Sequence, residues 1–171
     1  TWNASDAVLL YGTWSRGFRP GGINRRAGLD PYGADYLTNY ELGFKTTLFE
    51  RKVRFNGAVF MQDWAKFQFA FLGQNSFTQI QNGPDARIKG VEADINWQVM
   101  NGLSLSASAA FTDAKTRTFL CKAADTQPDC SSPGNAVLAP TGTRLPLTPK
   151  FKANATMRYS WDMGSIRPYV Q

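Results

Sequence analysis

The sequence predicts an all-β protein: an antiparallel up-and-down meander of about seven strands, forming a partial transmembrane β-barrel cut from a larger one. Three observations predict it. Apolar and polar residues alternate through most of the chain, which is the period of a strand whose successive side chains point to opposite faces. Connections alternate between short and long, so a meander puts the short turns at one end and the long loops at the other. No run of about 18 apolar residues occurs in the 171, which removes the helical membrane class and leaves the barrel class open.

The alternation is clearest from Asn39 to Trp64. Tyr40, Leu42, Phe44, Thr46 and Leu48 alternate with Asn39, Glu41, Gly43, Lys45 and Thr47. Val53, Phe55, Gly57, Val59 and Met61 then alternate with Arg54, Asn56, Ala58, Phe60 and Gln62. Only Phe49–Lys52 separates the halves, so they form a tight antiparallel hairpin with one oily face and one charged and amide-bearing face.

In chain order, Asp6–Arg16 is the first strand. It carries Val8, Leu10 and Trp14 on one side and Leu9 and Tyr11 on the other, so its pattern does not say which side is oily. Gly17–Asp35, rich in Gly, Pro, Asn and Arg, is a long loop of the kind that is usually functional or disordered. After the hairpin, its second strand runs on through Lys66–Phe71. Gly73–Ser76 turns, Phe77–Gln81 returns, and Asn82-Gly83-Pro84 breaks the run. Ala86–Val99 is the fourth strand, Asn101-Gly102 a strong hairpin signal, and Leu103–Ala114 the fifth. Lys115–Thr148 is irregular; Pro149–Trp161 is the sixth strand, Asp162–Gly164 a turn, and Ser165 onward opens a seventh.

Composition excludes less than connectivity does. A hydrophobic fraction of 43% and a mean hydropathy of −0.34 suit a soluble protein, but also a barrel, since half of every spanning strand is polar. The net charge of +6 allows an anionic partner without naming one. The absence of histidine removes His-based triads, bases and metal sites from this stretch. Glu41, Lys45, Arg54, Glu92, Asp94, Lys150, Lys152 and Arg158 all lie opposite the oily face. Burying them inside a small closed barrel would cost several kcal/mol each, whereas a wide wet lumen or an open sheet accommodates them. Tyr40, Trp64, Trp97, Tyr159 and Trp161 fall near strand ends, where interface girdles sit. Thr1–Asp6 lacks the features of a signal peptide and Ile166–Gln171 stops within a strand, so the chain reads as a fragment.

Several stretches resemble one known family. Tyr11–Asn24 (YGTWSRGFRPGGIN), Asn39–Lys45 (NYELGFK), Asn56–Trp64, Ile88–Glu92 (IKGVE) and Arg144–Pro149 (RLPLTP) together are similar, in order, to the TonB-dependent outer-membrane receptors. The resemblance implies a 22-stranded barrel closed by a plug, of which residues 1–171 would be a part without plug or barrel ends. It further implies a bacterial outer-membrane location and energised import of a scarce ligand, such as a ferric siderophore. The partners implied are outer-membrane lipid and lipopolysaccharide, the protein's own plug, a TonB–ExbB–ExbD complex and the small-molecule ligand. No cofactor, metal, enzymatic chemistry or nucleic acid is implied.

On that basis Arg19, Arg25, Arg26 and Tyr32, with Arg16 beside them, are candidate ligand contacts in outward loops; solubility or lipopolysaccharide phosphates are the plainer use of the arginines. Glu41, Lys45, Arg54, Glu92, Asp94 and Arg158 face the lumen, and the carboxylates are expected to pair with Lys45, Arg54 or plug residues rather than to catalyse. Cys121 and Cys130 share one loop and form a candidate disulfide, worth roughly 2–3 kcal/mol in an oxidising compartment. Gly21-Gly22 starts no helix and is not a phosphate loop. A passive porin-like channel and a soluble antiparallel β protein are the alternatives.

Overall fold

The computed structural model describes residues 1–25, 28–72, 78–121 and 137–171. Among these there is no helix. Eight strands form one antiparallel sheet whose order follows the chain. They are β1 (Trp2–Ser5), β2 (Val8–Arg19), β3 (Asp35–Leu48), β4 (Val53–Ala65), β7 (Ala86–Met100), β8 (Leu103–Thr116), β11 (Phe151–Ser160) and β12 (Tyr169–Val170). Two small hairpins stand apart from this wall: β5 (Gln68–Leu72) with β6 (Thr78–Asn82), and β9 (Leu120–Cys121) with β10 (Val137–Ala139). The sheet is open, with β1 and β12 as its edges.

Register fixes the two faces. Leu42 pairs with Val59, Val59 with Val91, Val91 with Phe111 and Phe111 with Phe151, so one apolar row crosses five strands. Since Leu10 pairs with Phe44 and Trp14 with Tyr40, the oily side of β2 is Val8, Leu10 and Trp14. The apolar side chains are not packed under a second layer: Leu42 is 65% exposed, Val59 and Val91 50%, and Phe151 65%. The buried apolar residues among those described are the small Pro84, Ala86 and Ala114. From the row of Tyr40 to the row of Tyr159 there are ten residues of strand. That is about 34 Å along the chain, or about 26 Å of height at a tilt near 40°, which matches the apolar band of an outer-membrane barrel.

The ends sort as the connection lengths predict. Asp6-Ala7, Phe49–Lys52, Asn101-Gly102 and the segment from Trp161 to Pro168 are the short reversals at one end. The three long connections, 20–34, 66–85 and 117–150, are at the other.

Several details differ from the sequence reading. β2 runs on to Arg19, so Gly17–Arg19 are strand and not loop, and the stretch read as irregular holds the β9–β10 hairpin. Trp2–Ser5 is an additional strand, too short for alternation to show. The run after Trp64 does not continue the wall. Lys66 takes a positive φ of 52°, and Gln68 onward folds into the separate β5–β6 hairpin. The last turn is longer than Asp162–Gly164: Met163 bridges to Ile166, and Trp161 N–H donates to Pro168 O (3.2 Å) before β12 begins. Trp64 belongs to no girdle; it is on the polar face, in register with Ala86 and Leu37. Tyr40, Trp97, Tyr159 and Trp161 are exposed, the last two with rings stacked 5.8 Å apart.

Candidate functional site

The polar face is built by the residues that alternate with the oily rows. Gly43 is paired with Tyr11, and a Cβ there would lie 2.5 Å from the Tyr11 ring, so only glycine lets that ring lie flat across β3. The flattened ring puts Tyr11 O–H 2.8 Å from Glu41 Oε1, to which it donates, and leaves Lys45 Nζ 5.7 Å from the ring centroid. On the next strands Asn56 Nδ2 donates to Asp94 (3.0 Å), and Asn154 Nδ2 to Ser108 Oγ (2.7 Å). Glu92 is next along β7, in register with Ala58. Towards the short-turn end a recess of about 520 Å³ is lined by Arg51, Lys52, Arg54 and Arg158, and the Arg158 guanidinium stacks 3.8 Å from the Tyr169 ring centre.

All six lumen candidates therefore share one face. The ion pairs among the described residues do not join Glu41 or Glu92 to Lys45 or Arg54; Glu41 takes a phenol instead. Asn39 Oδ1, on the same face, is buried and has no hydrogen-bond partner among the described residues.

At the long-loop rim the polar face ends in a hub that alternation alone does not mark. Asp35, 1% exposed, accepts from Arg19 Nε (3.1 Å) and Arg19 Nη2, from Trp64 Nε1 (3.0 Å) and from Gln68 N–H (2.9 Å). Gln68 Nε2 donates in turn to Pro20 O (2.9 Å) and Gly33 O (3.0 Å). Asn82 closes the circle, giving to Gly33 O and Lys66 O and accepting from Gly33 N–H at 2.6 Å. Asn24 bonds both backbone groups of Ile80, at 2.8 and 3.0 Å. The buried carboxylate has its lone pairs filled by four donor groups, which is what makes its burial tolerable. The consequence is mechanical: loop 20–34 and hairpin β5–β6 are stitched into one unit on the rim.

The candidate ligand contacts divide accordingly. Arg19 is engaged by Asp35 and its guanidinium lies 5.3 Å from the Trp64 ring. Tyr32 is half-buried and bridges to Gly22 through two backbone bonds of 2.9 Å; a Cβ on Gly22 would meet its hydroxyl at 2.7 Å, which explains the glycine. Arg25 is exposed on the loop. Arg16 is on the opposite, oily face, stacked on Tyr36 at 4.8 Å. Arg26 and Cys130 lie outside the described residues, as does the side chain of Cys121, so the disulfide expectation falls there as well.

Comparison with known proteins agrees with this geometry. Residues 1–170 match the model of the family described as TonB dependent receptor-like, beta-barrel. The ferric yersiniabactin uptake receptor FyuA from Yersinia pestis is similar in structure, with a TM-score of 0.70 over 96% of this chain at 20% identity. The siderophore receptor PiuA from Acinetobacter baumannii is similar with a TM-score of 0.66 over 91% of the chain at 15% identity. At such identities the likeness is one of fold. The chain spans 22% of the length of each.

Proposed function

The chain belongs to the TonB-dependent receptor-like β-barrel family, and on that premise we propose that it is part of the wall of an outer-membrane receptor that imports a scarce ligand such as a ferric siderophore. The observation that carries the membrane half of this reading is the one-layer sheet with exposed apolar rows about 26 Å high and every long connection at one rim. Of the two solved structures described above, one is named a siderophore receptor and the other a ferric yersiniabactin uptake receptor, which supports the ligand class. On this reading residues 1–171 contribute strands to a barrel domain that other parts of a longer chain complete. The polar face, with Glu41, Lys45, Arg54, Glu92, Asp94 and Arg158, looks onto a plug. A plug donor would satisfy Asn39 Oδ1.

The stitched rim faces outside and offers Arg25 and Tyr32 to an anionic ligand, with Arg26 a candidate from its place in the sequence, while Arg19 acts through Asp35 to hold the loop in place. A TonB–ExbB–ExbD complex supplies the energy through the plug. The wall itself needs no covalent chemistry. The test is uptake of radiolabelled ferric siderophores by cells whose only route is the intact receptor. Uptake is expected to vanish when TonB is deleted, and to weaken with Arg25→Ala plus Arg26→Ala. Undiminished uptake without TonB would replace this reading with the passive porin-like channel.

A further inference from the structure

The polar face carries its charge unevenly. At mid-height the carboxylates of Glu92 and Asp94 stand with Lys45 and Lys152 around one cleft of about 950 Å³. At the short-turn end the recess of about 520 Å³ holds four cations, Arg51, Lys52, Arg54 and Arg158, and no Asp or Glu among the described residues lines it. None of the four is in an ion pair among the described residues. Register explains the shape. Arg54, Asn96, Ser106 and Thr156 form one row, and Gln98, Ser104 and Arg158 the next. Arg54 on β4 and Arg158 on β11 are therefore three strand spacings apart, about 14 Å, with serine and threonine hydroxyls between them. The Arg158 guanidinium rests on the Tyr169 ring, 3.8 Å from its centre, which fixes the guanidinium plane and leaves its in-plane N–H donors to fork onto an oxyanion.

We propose that this recess is an anion site, and that it takes a compact small molecule carrying two or more carboxylate or phosphate groups. Four cations in one concavity build a potential of one sign that a single opposite charge does not neutralise. The middle of the face has its own carboxylates and asks for no such partner. The volume is that of a small-molecule pocket, and the hydroxyl floor adds donors that suit an oxyanion. The site is separate from the outer contacts. Arg54 pairs with Thr47, twelve residues along β3 from Asp35 or about 41 Å of strand, so a compact molecule in the recess reaches no loop arginine. The inference rests on the import reading above and deepens it. The recess is at the end by which a ligand leaves, so the imported class is polyanionic and is held a second time before release.

The experiment titrates the intact receptor, plug included, with tricarballylate and with pyrophosphate in a calorimeter. Both are expected to bind, more weakly as salt rises, while acetate and the neutral triamide of tricarballylate do not. Arg54→Gln with Arg158→Gln should weaken binding roughly a hundredfold, about tenfold for each guanidinium, and Lys at both positions should restore part of it. Arg54→Gln alone removes no ion pair among the described residues, so it decides the matter if the double variant fails to fold. Unchanged affinity in that single variant, or equal binding of the neutral triamide, overturns the proposal. An equal loss in Arg25→Ala overturns it as well, since the anion then sits at the outer loops. If neither anion binds, the proposal falls, and protection of Arg54 and Arg158 from phenylglyoxal in the anion-free receptor would name the plug as the occupant. Uptake that survives deletion of TonB defeats the import reading and leaves a measured anion site standing, whereas TonB-dependent uptake without anion binding defeats only the site.

Discussion

The middle of the wall and its long-loop rim follow opposite rules. On the apolar face of the wall Leu42, Val59 and Phe151 are half to two-thirds exposed, and the sheet is held by its backbone ladders. At the rim the largest fully buried side chain among the described residues is a carboxylate, Asp35, closed in by Arg19, Trp64 and Gln68. A soluble domain does the reverse, burying oil and exposing charge. On the membrane reading proposed above, two solvents share one sheet. Where hydrocarbon wets the outer face, apolar side chains need no protein cover. Where the chain re-enters water, loops must be tied down by polar contacts because no core is available.

The sharpest way to break the comparison is to put charge into the middle. Ile95→Arg, near mid-height in the row of Phe55 and Ala107, is expected to destabilise the inserted protein by about 2–4 kcal/mol, as a cation near the bilayer midplane does. The neighbouring Asn96→Arg points to the polar face and should cost well under half of that. Refolding titrations in lipid vesicles measure both. Equal effects for the two variants would mean that the faces are not wetted differently.

The second largest effect belongs to the rim. Asp35→Ala strands the N–H groups of Gln68 and Trp64, while half-exposed Arg19 can rehydrate. A loss of about 2–3 kcal/mol is expected, the usual range for leaving buried donors unsatisfied. It should be local: hydrogen exchange should quicken in 20–34 and 66–85 while the ladder of Leu42 with Val59 stays protected. Uniform loss of protection would show that the hub belongs to the wall and not to the loops. Trp64→Phe removes a single donor from Asp35 and should cost about 1 kcal/mol by the same reading.

These two regions were unequally legible. The wall could be read from sequence because a two-residue period is local; every face assigned from Asn39 to Met61 agrees with register. Even β2, apolar on both sides, is resolved once Leu10 is seen opposite Phe44. The displacement of Trp64 from the girdle to the polar face was readable as well, since it shares parity with Arg54, Asn56 and Gln62. The hub was not. Its bonds join residues 33 and 49 positions apart, Asp35 to Gln68 and Arg19 to Gln68, and nothing periodic announces which loop polar group will meet which. Arg87 and Lys89 are an intermediate case: they keep the parity of Val91 and are charges on an oily face, a local signal whose meaning needs the neighbouring strands.

The remaining predictions concern the short turns, which sharpen the contrast from the other end. Gly102 has φ +83°, and a Cβ there would lie 2.2 Å from Ser160 O, so the reversal from β7 to β8 has room for glycine alone. In Phe49–Lys52 the same left-handed region is occupied by Phe49, Glu50 and Arg51, with φ of 51°, 53° and 69°. Such geometry costs an L-residue about 1–2 kcal/mol relative to the right-handed one, and it persists because the flanking ladder imposes it. Glu50→Gly relieves that strain but frees the unfolded chain by about 0.5–1 kcal/mol. The net gain should be within about 1 kcal/mol. Gly102→Ala should lose about 1–3 kcal/mol to strain and contact. Opposite signs in the same refolding assay are the expected result. A gain at both positions would mean that the turns, and not the ladders, set the register of the wall.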